Sequence, residues 1–363
     1  MIDGHPMAQY AIPYGGTSDF VDMSAIPMGM VDHVDILPGA QSAIYGSSAL
    51  AGVVNIVLKD HVNGYELNVL DGGYSQGGGA SQRVQFLGGW NNDKWNIVYG
   101  AEVNNQRPIF GYQRRLNRTT LSNPDPDARF PNATFLTKTY DSDSGNWVYR
   151  DPGAAACAGL AGLNQGTTVY ASAPNEGPPF NATTGQPEGP GFFCGSPIAG
   201  SYGTILPENK FGAGYLDVKY HLNPTTELYA NILYNTTSQR ESGGTQSWEA
   251  ALDTSGLFVN GVTGDLESMS HTFAPEEVGN WSLYSTHNLK RSYYAWMGVK
   301  GEVGNWNYNI YFSRSQQNLI QNNERSWPTL STSFSRSNSW AQSSAPTVAI
   351  RSMIPTMPTS TRH

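Results

Sequence analysis

The sequence has few charged residues, two cysteines and no long apolar run. Lys, Arg, Asp and Glu make up 14% of the 363 residues, against about 25% in an average soluble domain. The longest uncharged apolar stretch, residues 49–58, is interrupted by Gly52 and Asn55. A membrane-spanning helix needs about 20 apolar residues, so the sequence predicts no helix of this kind.

Basic residues are also dispersed. The net charge is −8, and the 21 Lys and Arg residues form no block of five or more. Because a nucleic-acid-binding protein shows a basic patch or stripe, we predict no nucleic-acid partner. The first residues lack the basic and apolar regions of a signal peptide. If the protein is exported, we expect its true start to lie upstream.

Aromatic and turn-forming residues are abundant instead. The chain has 20 Tyr, 9 Trp, 40 Gly and 22 Pro. Few charges together with many Tyr and Trp suit an interface with apolar material. Disordered chains are poor in aromatic and β-branched residues, so we expect order up to about Asn318.

The first 60 residues end in two predicted strands joined by a helical turn. Residues 31–37 alternate in hydropathy like a strand, and residues 52–59 form a second, β-branched run. Residues 40–46 between them are short, contain alanine and end at Gly46, as a single helical turn does.

This stretch resembles the end of the plug domain of TonB-dependent outer-membrane receptors. The resemblance depends on the order and joint spacing of Gly39, Ser42, Ala43, Tyr45, Gly46, Ser47, Ala49, Gly52, Val53, Asn55 and Ile56. Among these, we assign structural roles in the plug motif to Gly39, Ser42, Tyr45, Gly46, Gly52 and Asn55. The sequence departs from the family at His33, where Arg is usual, and at Ala51, where a second Gly is common.

The region 64–318 contains seven candidate strands with period-two alternation. They lie at residues 64–74, 82–90, 95–103, 216–222, 228–235, 291–303 and 306–313. Strands of a transmembrane β-barrel alternate apolar side chains toward lipid with polar or small ones toward the lumen. The clearest sets predicted to face lipid are Trp95, Ile97, Tyr99, Ala101 and Val103; Leu216, Val218, Tyr220 and Leu222; Leu228, Ala230, Ile232 and Tyr234; Tyr293, Ala295, Met297 and Val299; and Trp306, Tyr308, Ile310 and Phe312.

The connections between these strands alternate in length. Short turns at 91–94, 223–226 and 304–305 alternate with long polar tracts at 107–209 and 241–290. Outer-membrane barrels have short periplasmic turns and long extracellular loops. A soluble β-sandwich with one polar face also alternates, but connections this long are uncommon in compact soluble domains, which favours the barrel.

Cys157 and Cys194 both lie in the first long tract, among Gly, Pro, Ala and Ser. In an oxidising exterior this context predicts a loop disulfide. The alternative is a pair of unrelated free thiols.

No set of residues predicts catalysis or metal binding. The pairs Lys300 with Glu302 and Asp217 with Lys219 are interpreted as solvated lumen residues, and the seven histidines have no metal-ligand spacing. Gly46 and Ser47 do not belong to a hydrolase nucleophile motif, since that motif requires Gly where Leu50 stands. We predict no enzyme and no cofactor.

The fold class is therefore predicted as mainly β. We expect the C-terminal part of a plug domain at 1–60 and the N-terminal part of a barrel with long extracellular loops at 64–318. Residues 325–363 are expected to form a low-complexity tail that is disordered or out of frame. Receptors of this class close with 22 strands around a plug, so seven strands indicate a fragment.

The resemblance implies a receptor for active uptake of a scarce large solute, such as a siderophore, oligosaccharide, peptide or vitamin, across the outer membrane of a Gram-negative bacterium. Its implied partners are outer-membrane lipid, the TonB complex and an unknown solute. The TonB box that precedes the plug in the family is absent from this sequence. A surface adhesin or glycan-binding β protein is the alternative, and a secreted hydrolase on a β scaffold is a third possibility.

Overall fold

A computed structural model describes most of the chain. The described residues are 1–10, 12, 17, 20–46, 49–143, 145–245, 247–249, 258–261, 263–278, 285–323 and 341–355. None of the helices in these ranges combines the length and hydropathy that crossing a membrane requires.

The described residues among the first 60 form a small unit, the N-terminal segment. It contains β1 (Val31–Pro38), α1 (Ser42–Tyr45) and β2 (Gly52–Leu58), and the two strands pair antiparallel. Both strands and the helical turn agree with the sequence prediction. Ile2 adds a parallel bridge to Ile56, which ties the start of the segment to its last strand.

The remaining elements are strands and short helices. In chain order they are β3 (Gly64–Gly72), β4 (Ser81–Asn91), β5 (Trp95–Gln106), β6 (Ile109–Phe110), β7 (Asn132–Asp141), β8 (Asn146–Arg150), α2 (Ala154–Ala158), β9 (Val169–Phe180), β10 (Pro187–Ser196), β11 (Thr204–Leu206), β12 (Glu208–Asn223), β13 (Thr226–Ser242), β14 (Ser247–Glu249), β15 (Phe258–Val259), β16 (Leu266–Thr272), α3 (Pro275–Val278), β17 (Ser285–Val303), β18 (Trp306–Asn323) and β19 (Ala341–Pro355).

One long antiparallel sheet, the main sheet, organises the molecule. Its order is β19-β18-β17-β13-β12-β5-β4-β3. All seven candidate strands from the sequence belong to it, and several are much longer than predicted because pairing continues beyond the alternating apolar core. Within the described residues the sheet is open, with β3 and β19 at its edges.

Side chains alternate between the two faces of the main sheet as the pattern predicts. On β13, Leu228 and Ile232 are exposed while Leu233 is fully buried, and on β18 Phe312 is exposed beside buried Tyr311. The buried positions face the N-terminal segment, and the exposed apolar ones form the opposite, outward face.

The strand β19 differs from the expectation for the C-terminal tail. It pairs with β18 along its length, from Leu319 opposite Ala341 to Trp306 opposite Pro355. Prolines cannot donate a ladder hydrogen bond, and an edge strand tolerates them. The low-complexity run at 331–339 lies outside the described residues.

The two long connections form a second sheet, although the sequence predicted only loops there. Its path is β14-β16-β7-β10-β9, with β8 beside β7 and β15 beside β16. Since β7 to β10 come from the first connection and β14 to β16 from the second, both connections fold into one unit, the connection module. Gly- and Pro-rich strands such as β9 and β10 lack the apolar alternation that predicts strands.

Cys157 and Cys194 form a disulfide within the connection module. Their Cα atoms are 5.2 Å apart. Cys157 lies on α2 and Cys194 on β10, and both side chains are buried. The bridge therefore fixes the five-residue helix α2 against the sheet of the connection module.

Candidate functional site: the N-terminal segment on the inward face of the sheet

The N-terminal segment packs against the inward face of the main sheet through a continuous apolar core. Its buried members are Ile2, Ala8, Ile26, Met30, Ile56 and Leu58 from the segment, and Leu87, Val98, Tyr215, Leu233, Tyr294 and Trp296 from the sheet. Burial of apolar area is the main source of affinity between such surfaces. The segment is thus seated in the sheet by a shared core.

A tight turn at the start of the segment connects it to β2. Ile2 and His5 exchange two backbone hydrogen bonds of 2.9 and 2.8 Å, with Asp3 and Gly4 at positive φ between them. The Asp3 side chain accepts a hydrogen bond from the Leu58 amide at 2.9 Å, and the Asn55 side chain accepts one from the Gly4 amide at 2.7 Å. Asn55, a motif residue, therefore fixes this turn.

The motif glycines occupy backbone positions that other residues rarely adopt. Gly39 and Gly46 have φ of 87° and 88° on either side of α1, where they end β1 and the helical turn. Gly52 has φ of 141°, and a Cβ there would lie 2.7 Å from the Leu37 carbonyl oxygen. Ser42 and Tyr45 are the first and last residues of α1. Ser47 lies outside the described residues.

Lys219 is the first charged anchor between the sheet and the segment. Its Nζ lies 2.7 Å from Asp60 Oδ2 and 3.6 Å from Asp217 Oδ2. Burial would raise the pKa of Asp60, but the hydrogen bond and charge of Lys219 outweigh it and hold that pKa below its usual value. Asp217 is 1% exposed, so the expectation of a solvated Asp217–Lys219 pair is wrong, because the segment covers it.

Lys290 is the second anchor, toward the connection module. Its Nζ lies 2.7 Å from Asp22 Oδ2, and both side chains are largely buried. Burial opposes the charge of Asp22, yet hydrogen bonds from Lys290 and Ser24 lower its pKa overall. Tyr10 stacks on Phe20 with ring centroids 4.6 Å apart, and Lys290 lies 5.9 Å from the Tyr10 ring.

A polar cavity of about 190 Å³ remains between the segment and the sheet near the Lys219 anchor. Asp3, His5 and Asp60 line it from the segment, and Asp217 and Lys219 are among the sheet residues that line it. Burial, together with the nearby Asp217 charge, raises the pKa of Asp3 to about 6, although the Leu58 amide acts in the opposite direction.

His5 fills the apolar side of this cavity. Its ring stacks on Trp296 at 4.9 Å between centroids and meets Tyr311 edge-on at 4.4 Å. Aromatic pairs at such distances add to the energy of burial. Together with the two lysine anchors, these contacts fix the segment at three separate points.

The connection module is held together by contacts between its two chain tracts. Arg150 of β8 pairs with buried Glu267 of β16. Glu276 of α3 accepts hydrogen bonds from the backbone amides of Asn164 and Gln165 at 3.1 and 2.8 Å. The module is therefore an ordered unit at the end of the sheet opposite the short turns.

The sequence located the elements of this site but not its charged contacts. Lys290 and Asp22 are 268 residues apart in the chain, and Lys219 and Asp60 are 159 apart. No local pattern pairs residues at such separations. Over the described ranges, no group of three or more His, Cys, Asp or Glu side chains is arranged to hold a metal ion.

The N-terminal segment matches a known protein family. Residues 1–53 match the family model described as the TonB-dependent receptor plug domain. The matched stretch contains the Ile2–His5 turn, the Asp22 anchor, β1 and α1, and it ends at the start of β2.

Proposed function

We propose that this chain, which carries the plug domain of a TonB-dependent receptor, takes part in energised import of a solute across the outer membrane. In this proposal the main sheet is part of the wall of a transmembrane β-barrel, and the N-terminal segment is the plug. The observation that carries it is the seating of the matched segment on the inward face of a sheet whose outward face is apolar and exposed.

The arrangement of apolar and polar residues on the outward face supports the proposed contact with a membrane. Rows of opposed residues cross β3, β4 and β5, and three successive rows on the outward face are apolar or contain Gly: Tyr65, Gly88 and Tyr99; Leu67, Phe86 and Ala101; and Val69, Val84 and Val103. The next row, Asp71, Gln82 and Asn105, is polar and exposed. A soluble protein rarely leaves an apolar patch of this extent open.

The upper edge of this apolar band runs obliquely across the sheet. On β3 the last apolar outward residue before the connection module is Val69, and the row of opposed residues through Val69 reaches Asn318 on β18. On β18 itself the last apolar outward residue is Phe312, which is six residues farther from the connection module than Asn318. Six residues rise about 20 Å while six strand spacings cover about 29 Å, which gives a tilt of about 35°. Strands of outer-membrane barrels tilt by about 35 to 45°.

The seated segment would block passage along the inward face. Import then requires the Asp22–Lys290 and Asp60–Lys219 contacts to break or the segment to change shape. The family implies that energy for this step comes through the TonB complex. Tyr10 and Phe20 lie on the same side as the Lys290 anchor, toward the connection module, and we propose that a solute first meets the segment there.

Uptake measurements test this function. Cells with the chain in the outer membrane are supplied with four labelled solutes, namely a ferric siderophore, a maltodextrin, cobalamin and an oligopeptide, with and without a protonophore. We expect accumulation of one class that the protonophore abolishes. Cells that carry the Lys290→Cys, Asp22→Cys pair should accumulate it only after reduction, because the disulfide locks the segment to the sheet.

The alternative of a surface adhesin or glycan-binding protein predicts a different outcome. Solute would bind to the cells through the connection module, but neither the protonophore nor the engineered disulfide would change the amount retained. Binding without energised accumulation for every solute tested would contradict the import proposal.

A further inference from the structure

Several exposed arginines lie beyond the upper edge of the outward apolar band, and we call five of them the arginine rim. They are Arg107, Arg115, Arg118, Arg291 and Arg314. We propose that the arginine rim binds the phosphate groups of lipid headgroups in the outer leaflet. This inference rests on the proposed membrane location of the main sheet.

The orientation of two rim residues follows from the strand register. Arg291 on β17 has the same parity as Met297, and Arg314 on β18 has the same parity as Phe312, so both project from the outward face. Their neighbours Ser292 and Ser313 are buried on the inward face. A solute that passes along the inward face would not meet these arginines, whereas lipid would.

The position of the rim matches the headgroup layer. Arg314 follows Phe312, the last apolar outward residue of β18, by two residues, and Arg107 follows Val103 of β5 by four. At about 3.3 Å per residue these offsets are about 7 and 13 Å along the strand. The headgroup region extends about 5 to 8 Å beyond the hydrocarbon on each side, within reach of a long arginine side chain.

The rim arginines have no carboxylate partner among the described residues, although Arg118 Nε donates a hydrogen bond to the Tyr112 carbonyl oxygen at 3.2 Å. Among the described residues, the Lys and Arg side chains in ion pairs are Lys59, Lys138, Arg150, Lys210, Lys219, Lys290 and Lys300. No rim arginine takes part in an ion pair in that part of the chain. The stretch 103–124 holds four arginines and no Asp or Glu, although the whole chain has a net charge of −8.

Arginine also suits the proposed ligand chemically. Its planar guanidinium donates two parallel hydrogen bonds to a phosphate, and it is less strongly hydrated than the ammonium of lysine. Tyr234 and Tyr293 lie on the outward face just below Arg291, as aromatic residues do at membrane interfaces. A cationic edge above an aromatic one fits an anionic headgroup layer.

The test compares anionic and neutral lipid on the purified full chain. The chain is equilibrated in mixed micelles with phosphatidylglycerol or phosphatidylcholine, and native mass spectrometry counts the lipids retained. At low salt we expect the wild-type chain to retain phosphatidylglycerol in preference to phosphatidylcholine. In R107Q/R291Q/R314Q this preference should fall roughly fivefold for each of the three arginines removed. The matched control Arg83→Gln, on the inward face of β4, should leave the preference unchanged.

Two further arms keep the outcomes separate. R107K/R291K/R314K keeps the charge and should retain most of the preference, which excludes loss of fold as the cause. Glycerol phosphate without lipid should not bind to the rim, and if it binds as tightly as phosphatidylglycerol the lipid assignment is overturned. Equal preference in wild type and R107Q/R291Q/R314Q also overturns the proposal. Retention of neither lipid would instead contradict the membrane location itself.

Discussion

Lys219 Nζ lies 2.7 Å from Asp60 Oδ2 and 3.6 Å from Asp217 Oδ2, so one ammonium of the sheet joins a carboxylate of the N-terminal segment to a buried carboxylate of its own strand. Asp217 is 1% exposed. Removal of the segment would expose Asp217 to water, and removal of Lys219 would leave Asp217 buried beside Asp60 without the opposite charge. The packing of the N-terminal segment on the main sheet therefore depends more on Lys219 than on exposed ion pairs such as Lys59–Glu66.

Lys219→Met should strongly weaken the packing of the N-terminal segment against the main sheet. A buried charge that loses its partner costs about 3 to 5 kcal/mol, and we expect about 3 kcal/mol because Asp217 is buried whereas the Asp60 side chain is exposed. Protection of the segment from protease measures the effect. The control Lys59→Met removes a 3.7 Å pair with exposed Glu66 and should cost under about 1 kcal/mol. Equal losses in both variants would contradict the role of Lys219.

Seating should also depend on pH through Asp3. Its pKa is raised to about 6 in the folded chain, above the unfolded value, so its contribution is complete below about pH 4 and is lost as pH rises through about 6. The pKa values of Asp22 and Asp60 are lowered, so both stay ionised in this interval. Protease protection should decrease from pH 4.5 to 7.5, and Asp3→Asn should make that decrease smaller. An equally large decrease in Asp3→Asn would show that Asp3 does not cause the pH dependence.

Gly52→Ala should disturb the pairing of β1 with β2. The backbone at φ of 141° is strained for alanine, and its Cβ would meet the Leu37 carbonyl oxygen at 2.7 Å. We expect a loss of about 1 to 3 kcal/mol, measured by amide exchange in β1. Gly72→Ala is the matched control, since a Cβ there meets nothing within 4 Å, and protection of β1 should be unchanged in it.

Ile310→Arg should impair insertion of the sheet into a bilayer. Ile310 lies on the outward face between Tyr308 and Phe312, and a lipid-facing arginine near the midplane of a barrel costs about 2 to 4 kcal/mol. Asn318→Arg, on the same face but above the band, should cost less than about 1 kcal/mol. The fraction of chain in the membrane measures both, and equal fractions would refute the lipid-facing assignment.

The Cys157–Cys194 bridge should stabilise the connection module. The residues are 37 apart in sequence, and the chain-entropy model gives about 3 to 4 kcal/mol for closing such a loop. The double variant Cys157→Ser, Cys194→Ser should unfold the module at lower temperature while leaving seating of the N-terminal segment unchanged. Labelling of both thiols in the unreduced wild-type chain would show that the bridge does not form.

Local patterns were sufficient to predict seven of the eight strands of the main sheet. The alternation of Trp306, Tyr308, Ile310 and Phe312 with polar residues is a short-range signal. A sheet with one apolar face requires an apolar residue at every second position, and this pattern can be seen in the sequence. The motif around Gly46 and Gly52 could also be recognised from the sequence, because positive φ and close backbone approach favour glycine at those positions.

Other features could not be predicted because they depend on contacts between distant parts of the chain. Asp217 looked solvated on its own strand, and only the N-terminal segment above it shows that it is buried. The connection module pairs β7 with β16, whose residues come from different tracts. Strand β19 escaped prediction since its prolines and serines give no alternating pattern, and its pairing with β18 alone places it in the sheet.

The most direct test of the proposed lipid-facing sheet is a spin-label scan along β18 with the chain reconstituted in a bilayer. Labels at Tyr308, Ile310 and Phe312 should collide frequently with dissolved oxygen and rarely with a water-soluble nickel complex, as lipid-facing positions do. Labels at Asn309, Tyr311 and Ser313 should show low oxygen collision, because the N-terminal segment or the polar inward face surrounds them. If both sets of labels were equally accessible to the nickel complex, with no period of two along β18, the proposal that the outward face of the sheet contacts lipid would be contradicted.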